Sequence, residues 1–327
     1  MSDTKPAVSE LANALEIDTE AVVESLAAAL QEVVWTRLRK RGAVVALSGG
    51  IDSSVVLALC ARAFGPGSVL GLLMPERESA RDTGALARLA ADSVGVETVE
   101  EDITNVLEAL GCYRRRDEAF RKLIPEYGPG WKAKIVLPPI LGSDSLRLFS
   151  VVARSPDGED VRVRVTADTY REIVASTNFK QRTRKMLEYY YADRFEYAVA
   201  GTPNRLEYDL GFFVKNGDGA ADVKPIAELY KTQVYALAEE LGILEEIHGR
   251  TPTSDTYPLA QDQEEFYFSL PYEQMDLALY SRLNGYPPEA LASAIGISPE
   301  DAGRIYADID SKRRTAEVLH LPALQLG

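Results

Sequence analysis

Ser48-Gly49-Gly50-Ile51-Asp52-Ser53-Ser54 packs backbone amides, three hydroxyls and a carboxylate into one short segment. Two adjacent glycines let main-chain amides approach a ligand closely, and the serines supply further donors. An apolar run, Ala43 to Leu47, precedes the segment and a helix-like stretch, Val55 to Phe64, follows it. Free N–H groups at the start of that helix, with the positive end of its dipole, favour an anion such as phosphate or pyrophosphate. In so donor-rich a turn, the Asp52 carboxylate is useful mainly if it holds a divalent cation bridging phosphate oxygens. The segment is neither G-x-x-x-x-G-K-[ST] nor G-x-G-x-x-G. An ordinary strand-to-helix turn would use the same residue types.

The elements around this segment alternate. Thr19 to Arg41 has helical spacing, with Val22, Val23, Leu26, Ala29, Leu30, Val33, Val34 and Leu38 apolar. Val69 to Met74 reads as a buried strand ending at Pro75, Thr83 to Val94 as a helix, and Glu97 to Glu100 as a weaker strand. Strands and helices at this spacing predict an α/β fold, a doubly wound parallel sheet with helices on both faces. Ligands of such sheets gather beyond the carboxyl ends of the strands, where the glycine segment also lies.

Trp131 to Ala167 breaks the alternation. Ala133 to Leu137 and Leu146 to Ala153 are apolar, and Val161, Val163 and Val165 alternate with Arg162, Arg164 and Thr166 around the turn signal Ser155-Pro156-Asp157-Gly158. The pattern predicts a β-hairpin inserted into the core over 131–167. Its arginine face is either a solvated strand face or the lining of a site for an anionic substrate. Asn178 to Tyr191 then reads as a basic-then-aromatic helix, Tyr197 to Ala200 as a short strand, and Leu229 to Leu241 as an amphipathic helix. The remainder, 261–327, reads as mostly helical.

Composition narrows the classes. The chain has 327 residues, 46% hydrophobic and 26% charged, as expected of a globular protein with a sizeable core. A net charge of -14 without a basic tract argues against a nucleic-acid surface. Cys60 and Cys112 are too few for a disulfide framework or a zinc site. No secretory signal or membrane-spanning run is visible, so a cytoplasmic location is expected.

The S-G-G-I-D-S-S string resembles the pyrophosphate loop of the N-type ATP pyrophosphatases, which cleave ATP to AMP and pyrophosphate. Leu73, Met74 and Pro75 end the second strand on the ligand side of the sheet, so they are either candidate contacts for an adenine ring or simply core and turn. The order of later blocks narrows the resemblance: N-x-K-x-R-x-R from Asn178, G-T-x-N-x-x-E from Gly201, K-x-G-D-G-x-x-D from Lys215, L-Y-K-T-Q-V from Leu229, P-T-S-D from Pro252, Y-E-Q-M-D from Tyr272, and Lys312-Arg313. Together they resemble the NAD synthetase family, ammonia-dependent type, over most of residues 19–314. The implied fold is a single adenine nucleotide α-hydrolase-like domain, with its ATP pyrophosphatase core at 19–260 and a helical part at 261–327.

The resemblance implies that a carboxylate, deamido-NAD in the family, attacks the α-phosphorus of ATP, and that ammonia then displaces AMP. It implies ATP binding by Ser48, Gly49, Gly50, Ile51, Asp52, Ser53, Ser54, Met74, Thr202, Lys231 and Thr253. Asp52 and Glu207 would hold Mg2+, with Asp52 and Lys231 the catalytic pair. Arg182, Lys215, Asp222 and Lys312 would bind the dinucleotide, and the family expectation is a homodimer. No general-base side chain is expected to be essential, and His248 and His320 have no partners at informative spacing. With neither cysteine in a nucleophile setting and no room for an attached amidase, the nitrogen would come from free ammonia or a separate ammonia-supplying partner. Three departures lie on the substrate side: Ser311 where the family commonly has histidine, the 131–167 insertion, and the aromatic run Gln261 to Leu270 with Phe266, Tyr267 and Phe268. They leave open a family member that amidates a different carboxylate, or a non-catalytic nucleotide-binding protein.

Overall fold

The computed structural model describes residues 11, 13–80, 82–138, 140–141, 148–250, 256–259, 267–268 and 270–326. Four parallel strands form the central sheet in the order β3-β2-β1-β7: β1 (Ala43–Ala46), β2 (Val69–Leu73), β3 (Glu97–Glu100) and β7 (Ala198–Ala200). Ala43 registers against Val69 on one side and Ala198 on the other. Alternate residues of these strands feed two cores, as the pleat requires. Ala43, Val45, Val69, Ala198 and Ala200 pack against the helices Thr19–Gln31, Ile51–Phe64, Thr83–Ser93 and Lys231–Glu240, here α1, α2, α3 and α8. Val44, Leu70, Leu72 and Val199 face the opposite layer, where Ile103 and Leu107 meet Cys112 and Tyr113 of α5 (Cys112–Leu123) and Tyr191 and Ala192 of α6 (Ala167–Phe195). The expected doubly wound sheet is therefore present.

The insertion is larger than a hairpin. β4 (Lys132–Val136), β5 (Ser150–Arg154) and β6 (Asp160–Arg164) form a three-stranded antiparallel sheet. The first apolar run pairs with the second, because its Ala133 and Ile135 share a buried face with Val151 and Ala153 over Phe120 and Ile173. Arg162 and Arg164 point into solvent, so this face is a solvated one. Beyond the sheet, α10 (Tyr272–Leu283), α11 (Pro288–Ile295) and α12 (Pro299–His320) bury a further core with Leu206, Leu210 and Tyr230.

The basic-then-aromatic helix is part of α6, capped by the Thr166 hydroxyl, which accepts from the Thr169 amide at 3.2 Å. Two of its four cations are not solvated. Lys180 and Lys185 are buried against Glu76, Glu78 and Glu188. Among the described residues, no helix is long and apolar enough to cross a membrane.

Candidate active site

The glycine segment joins β1 to α2. Gly49 takes φ +71°, and a Cβ there would stand 2.7 Å from the Thr83 carbonyl oxygen and 3.1 Å from Leu86 Cβ. Glycine thus serves both the left-handed backbone and the close packing of α3. The hydroxyls of Ser53 and Ser54 both donate to the Gly50 carbonyl at 2.9 Å, and both residues are buried. They shape the loop from beneath. The first intrahelical bond is from the Ser54 amide to the Gly50 carbonyl at 3.2 Å, which leaves the amides of Ile51, Asp52 and Ser53 without a helical partner. The turn therefore presents main-chain donors that could hold an anion, with Ser48 Oγ 3.3 Å from Ser53 Oγ.

Asp52, in the first turn of α2, meets Lys231, the first residue of α8. The Lys231 ammonium donates to Asp52 Oδ2 and is fully buried. Asn204 Nδ2 donates to Asp52 Oδ1 at 3.1 Å. Asn204 also caps α7 (Arg205–Leu210): its Oδ1 accepts from the Glu207 amide at 3.2 Å, while Glu207 Oε2 accepts from the Asn204 amide at 3.3 Å. Glu207 is therefore a capping-box acid. Burial and the neighbouring Asp52 charge push its carboxyl well above the usual range, against the pull of Lys231. The same two carboxylates hold the Lys231 ammonium above its ordinary value despite complete burial.

Asp276 was not anticipated. Its carboxylate accepts from the amides of Lys231 at 3.1 Å and Thr232 at 2.7 Å, capping α8 and fixing where Lys231 begins. Burial raises its carboxyl to about 6, although those amides oppose the rise. Both Asn204 and Asp276 were visible in the sequence as fixed letters of G-T-x-N-x-x-E and Y-E-Q-M-D. Tyr272 and Tyr235 rings flank Lys231 Nζ at 5.4 and 5.8 Å.

The remaining sequence-derived residues divide. Met74 follows β2, with its carbonyl accepting from Arg184 Nε at 3.3 Å, and Thr202 follows β7, two residues before Asn204. Thr253 and Phe266 lie outside the described residues. Arg182 is exposed on α6, and its Nε donates to the Lys215 carbonyl at 3.3 Å, so these two come together. The Lys215 ammonium caps the end of α12 through the carbonyls of Val318 and Leu321 at 3.0 and 2.9 Å. Asp222 accepts from the Val199 amide at 2.8 Å. Lys312 is engaged elsewhere, 2.7 Å from Asp308 and from the Tyr267 carbonyl. His248 pairs with Glu245, and His320 lies against the Tyr208 ring. Burial pushes the thiols of Cys60 and Cys112 up to about 12 and about 11, the opposite of a nucleophile's environment.

A model of the NAD synthase family matches residues 22–123 and 159–315 and skips the inserted strands β4 and β5. The NH(3)-dependent NAD(+) synthetase of Mesorhizobium japonicum is 54% identical over 306 residues, 94% of this chain and 96% of that protein. Among solved structures, the NH3-dependent NAD synthetase of Campylobacter jejuni superimposes with TM-score 0.62 at 22% identity, covering 95% of this chain and 100% of that one. The NMN synthetase of Francisella tularensis gives TM-score 0.66 at 20% identity, covering 95% and 99%. At such identities these two structures speak to the fold alone.

Proposed function

This chain belongs to the NAD synthase family, and from that premise we propose how its own residues carry out ATP-dependent amidation of deamido-NAD by ammonia. The reaction forms an acyl adenylate and pyrophosphate, then an amide and AMP. The observation that carries the reading is the buried Lys231–Asp52 pair beside Glu207 at the start of α2. Binding an inert nucleotide does not need a fully desolvated ammonium aimed at the phosphate end of the loop. Stabilising a departing pyrophosphate does, and a desolvated, preorganised charge acts there most strongly.

The main-chain amides of the loop from Ser48 to Ser54 would cradle the phosphates, with Met74, Thr202 and Thr253 along the nucleotide. Asp52 and Glu207 are hard oxygen donors; burial first, and the Asp52 charge second, raise the Glu207 carboxyl, and a divalent cation would offset both. Among the described residues no group of three or more His, Cys, Asp or Glu converges, and two carboxylates suit Mg2+, which takes most of its other ligands from water and phosphate. Asp52 and Glu207 would hold the cation, and the chemistry it would supply is neutralisation of phosphate charge. Asn204 would hold Asp52 in place. Arg182, Lys215, Asp222 and Lys312 would bind the dinucleotide, and ammonia would attack without an essential general base.

The exposed side chains of Met186 and Tyr190, 59% and 54% accessible on α6, offer a second copy an apolar face, so a homodimer is proposed. The test is formation of NAD and AMP by purified protein given ATP, Mg2+, ammonium and deamido-NAD, with a control lacking the dinucleotide. Stoichiometric NAD and AMP is the expected result. AMP without NAD would redirect the reading to another carboxylate, and no AMP at all would overturn it.

A further inference from the structure

Outside the reaction centre, four charged side chains are packed together beyond the carboxyl end of β2. Lys180 Nζ donates to Glu76 Oε1 at 2.8 Å, to Glu78 Oε2 at 2.9 Å and to the Thr256 carbonyl at 3.3 Å. Arg116 grips Glu78 through both terminal nitrogens, at 2.6 and 2.8 Å. Lys180 and Arg116 are each 2% exposed, and Glu76 4%. Desolvating charges on this scale is unfavourable unless the geometry is closely met, and its best-attested use is to fix register.

The register fixed here is that of the turn 74–79 against α6. Lys180 and Arg184 stand four residues apart on one face of α6. Lys180 holds Glu76 and Glu78, and Arg184 Nε holds the Met74 carbonyl at 3.3 Å. Within the turn, the Glu76 amide donates to Ser79 Oγ at 3.1 Å, and the Glu78 amide donates to Glu76 Oε2 at 3.1 Å. From a third side, Tyr113 donates to Glu76 Oε2 at 2.7 Å, and the Ile103 amide to the Pro75 carbonyl at 3.0 Å. The chain leaving this turn comes back to the pyrophosphate loop, where the Thr83 carbonyl closes on Gly49.

We propose that Lys180 is a positioning residue for the nucleotide, holding the turn 74–79 where it meets ATP seated on the Gly49 loop. The role rests on the reading that this turn contacts the adenine, so two measurements are paired. Photolabelling of the unmodified chain with 8-azido-ATP reports that reading alone, and label within 73–79 is expected. Steady-state kinetics of Lys180→Met report the positioning. The expected result is an ATP KM raised about tenfold or more with the deamido-NAD KM within about twofold, because a misplaced binding group weakens one ligand specifically. Lys180→Arg, which keeps the charge, should recover most of the loss.

Should Lys180→Met fail to fold, the charge-balanced pair Lys180→Met/Glu76→Gln carries the same test. Label in 73–79 with an unchanged ATP KM would overturn the positioning role by itself. Equal rises in both KM values, or a fall in kcat alone, would also overturn it, since either is what general loss of structure produces. Label elsewhere would overturn the adenine reading and the positioning role together.

Discussion

Replacing Lys231 with methionine separates two jobs that one side chain performs. Lys231 is fully buried, with its ammonium on Asp52 and within reach of the Glu207 field. Removing it leaves two carboxylates in a desolvated site, and breaking a buried pair of this kind costs about 3–5 kcal/mol of stability. A chain of this size then melts about 4–7 °C lower, yet remains folded at 25 °C. The catalytic loss is separate. A single preorganised group facing transition-state charge contributes about 2.7–4 kcal/mol, or roughly 10²–10³ in kcat. Pairing Lys231→Met with Asp52→Asn removes one of the stranded charges and should recover much of the melting temperature. It should recover none of the rate, because the pyrophosphate still departs without its partner and Asp52→Asn removes the carboxylate proposed to hold the cation. The assay is pyrophosphate release in the presence of saturating ATP and deamido-NAD, beside a thermal melt of each variant. If Lys231→Met alone keeps near-normal pyrophosphate release at 25 °C while its melting temperature falls, Lys231 is a structural cation and the leaving-group argument is wrong.

Arg182→Ala removes an exposed guanidinium with one 3.3 Å bond to a carbonyl. Its melting temperature should stay put while the deamido-NAD KM rises about 10–100-fold, the worth of a charge-assisted contact; an equal rise in the ATP KM would count against its assignment. Gly49→Ala places a methyl 2.7 Å from the Thr83 carbonyl at φ +71°, so the ATP KM should rise about tenfold or more. Unchanged ATP binding would show that the loop relaxes without consequence. Glu78 supplies a pH test. Burial opposes its charge, yet the hydrogen bonds and charges of Arg116 and Lys180 hold its carboxyl down at about 2. Between that value and its unfolded value near 4.5 the unfolded chain binds the extra proton, so stability falls as pH drops through this window. The contribution is on the order of 3 kcal/mol and is fully present above the upper limit. Glu78→Gln should flatten that part of the acid-unfolding profile, and an unaltered profile would remove Glu78 from the account.

How far the sequence can be read depends on whether a residue's role is local. The doubly wound sheet was legible because β1 and β2 are continuous apolar runs bounded by Gly and Pro, a signal needing no tertiary information. The glycine loop is legible for the same reason, although two of its three hydroxyls, those of Ser53 and Ser54, donate to the Gly50 carbonyl. Counting donors along a chain does not reveal which are already satisfied. The first strand of the insertion, β4, is illegible for a different reason. Lys132–Val136 pairs across a long connection with β5, and short apolar runs carry no signal of their partner.

Charge on α6 is the clearest case. Lys180, Arg182, Arg184 and Lys185 form one basic stretch on paper, yet helical geometry sends Lys180 and Lys185 into buried carboxylates and Arg182 into solvent. Which cation is buried depends on where Glu76 and Glu188 arrive. Glu76 is 104 residues away and Glu188 is three along the helix, so only the second was available to local reasoning. The same logic explains why Asp276 went unassigned. It acts 45 residues from Lys231 through two main-chain amides, so the Y-E-Q-M-D block displays the residue without showing what it holds. The candidate site thus consists of a legible layer, proposed to meet ATP, and a layer of buried carboxylates behind it that fixes where the legible one stands.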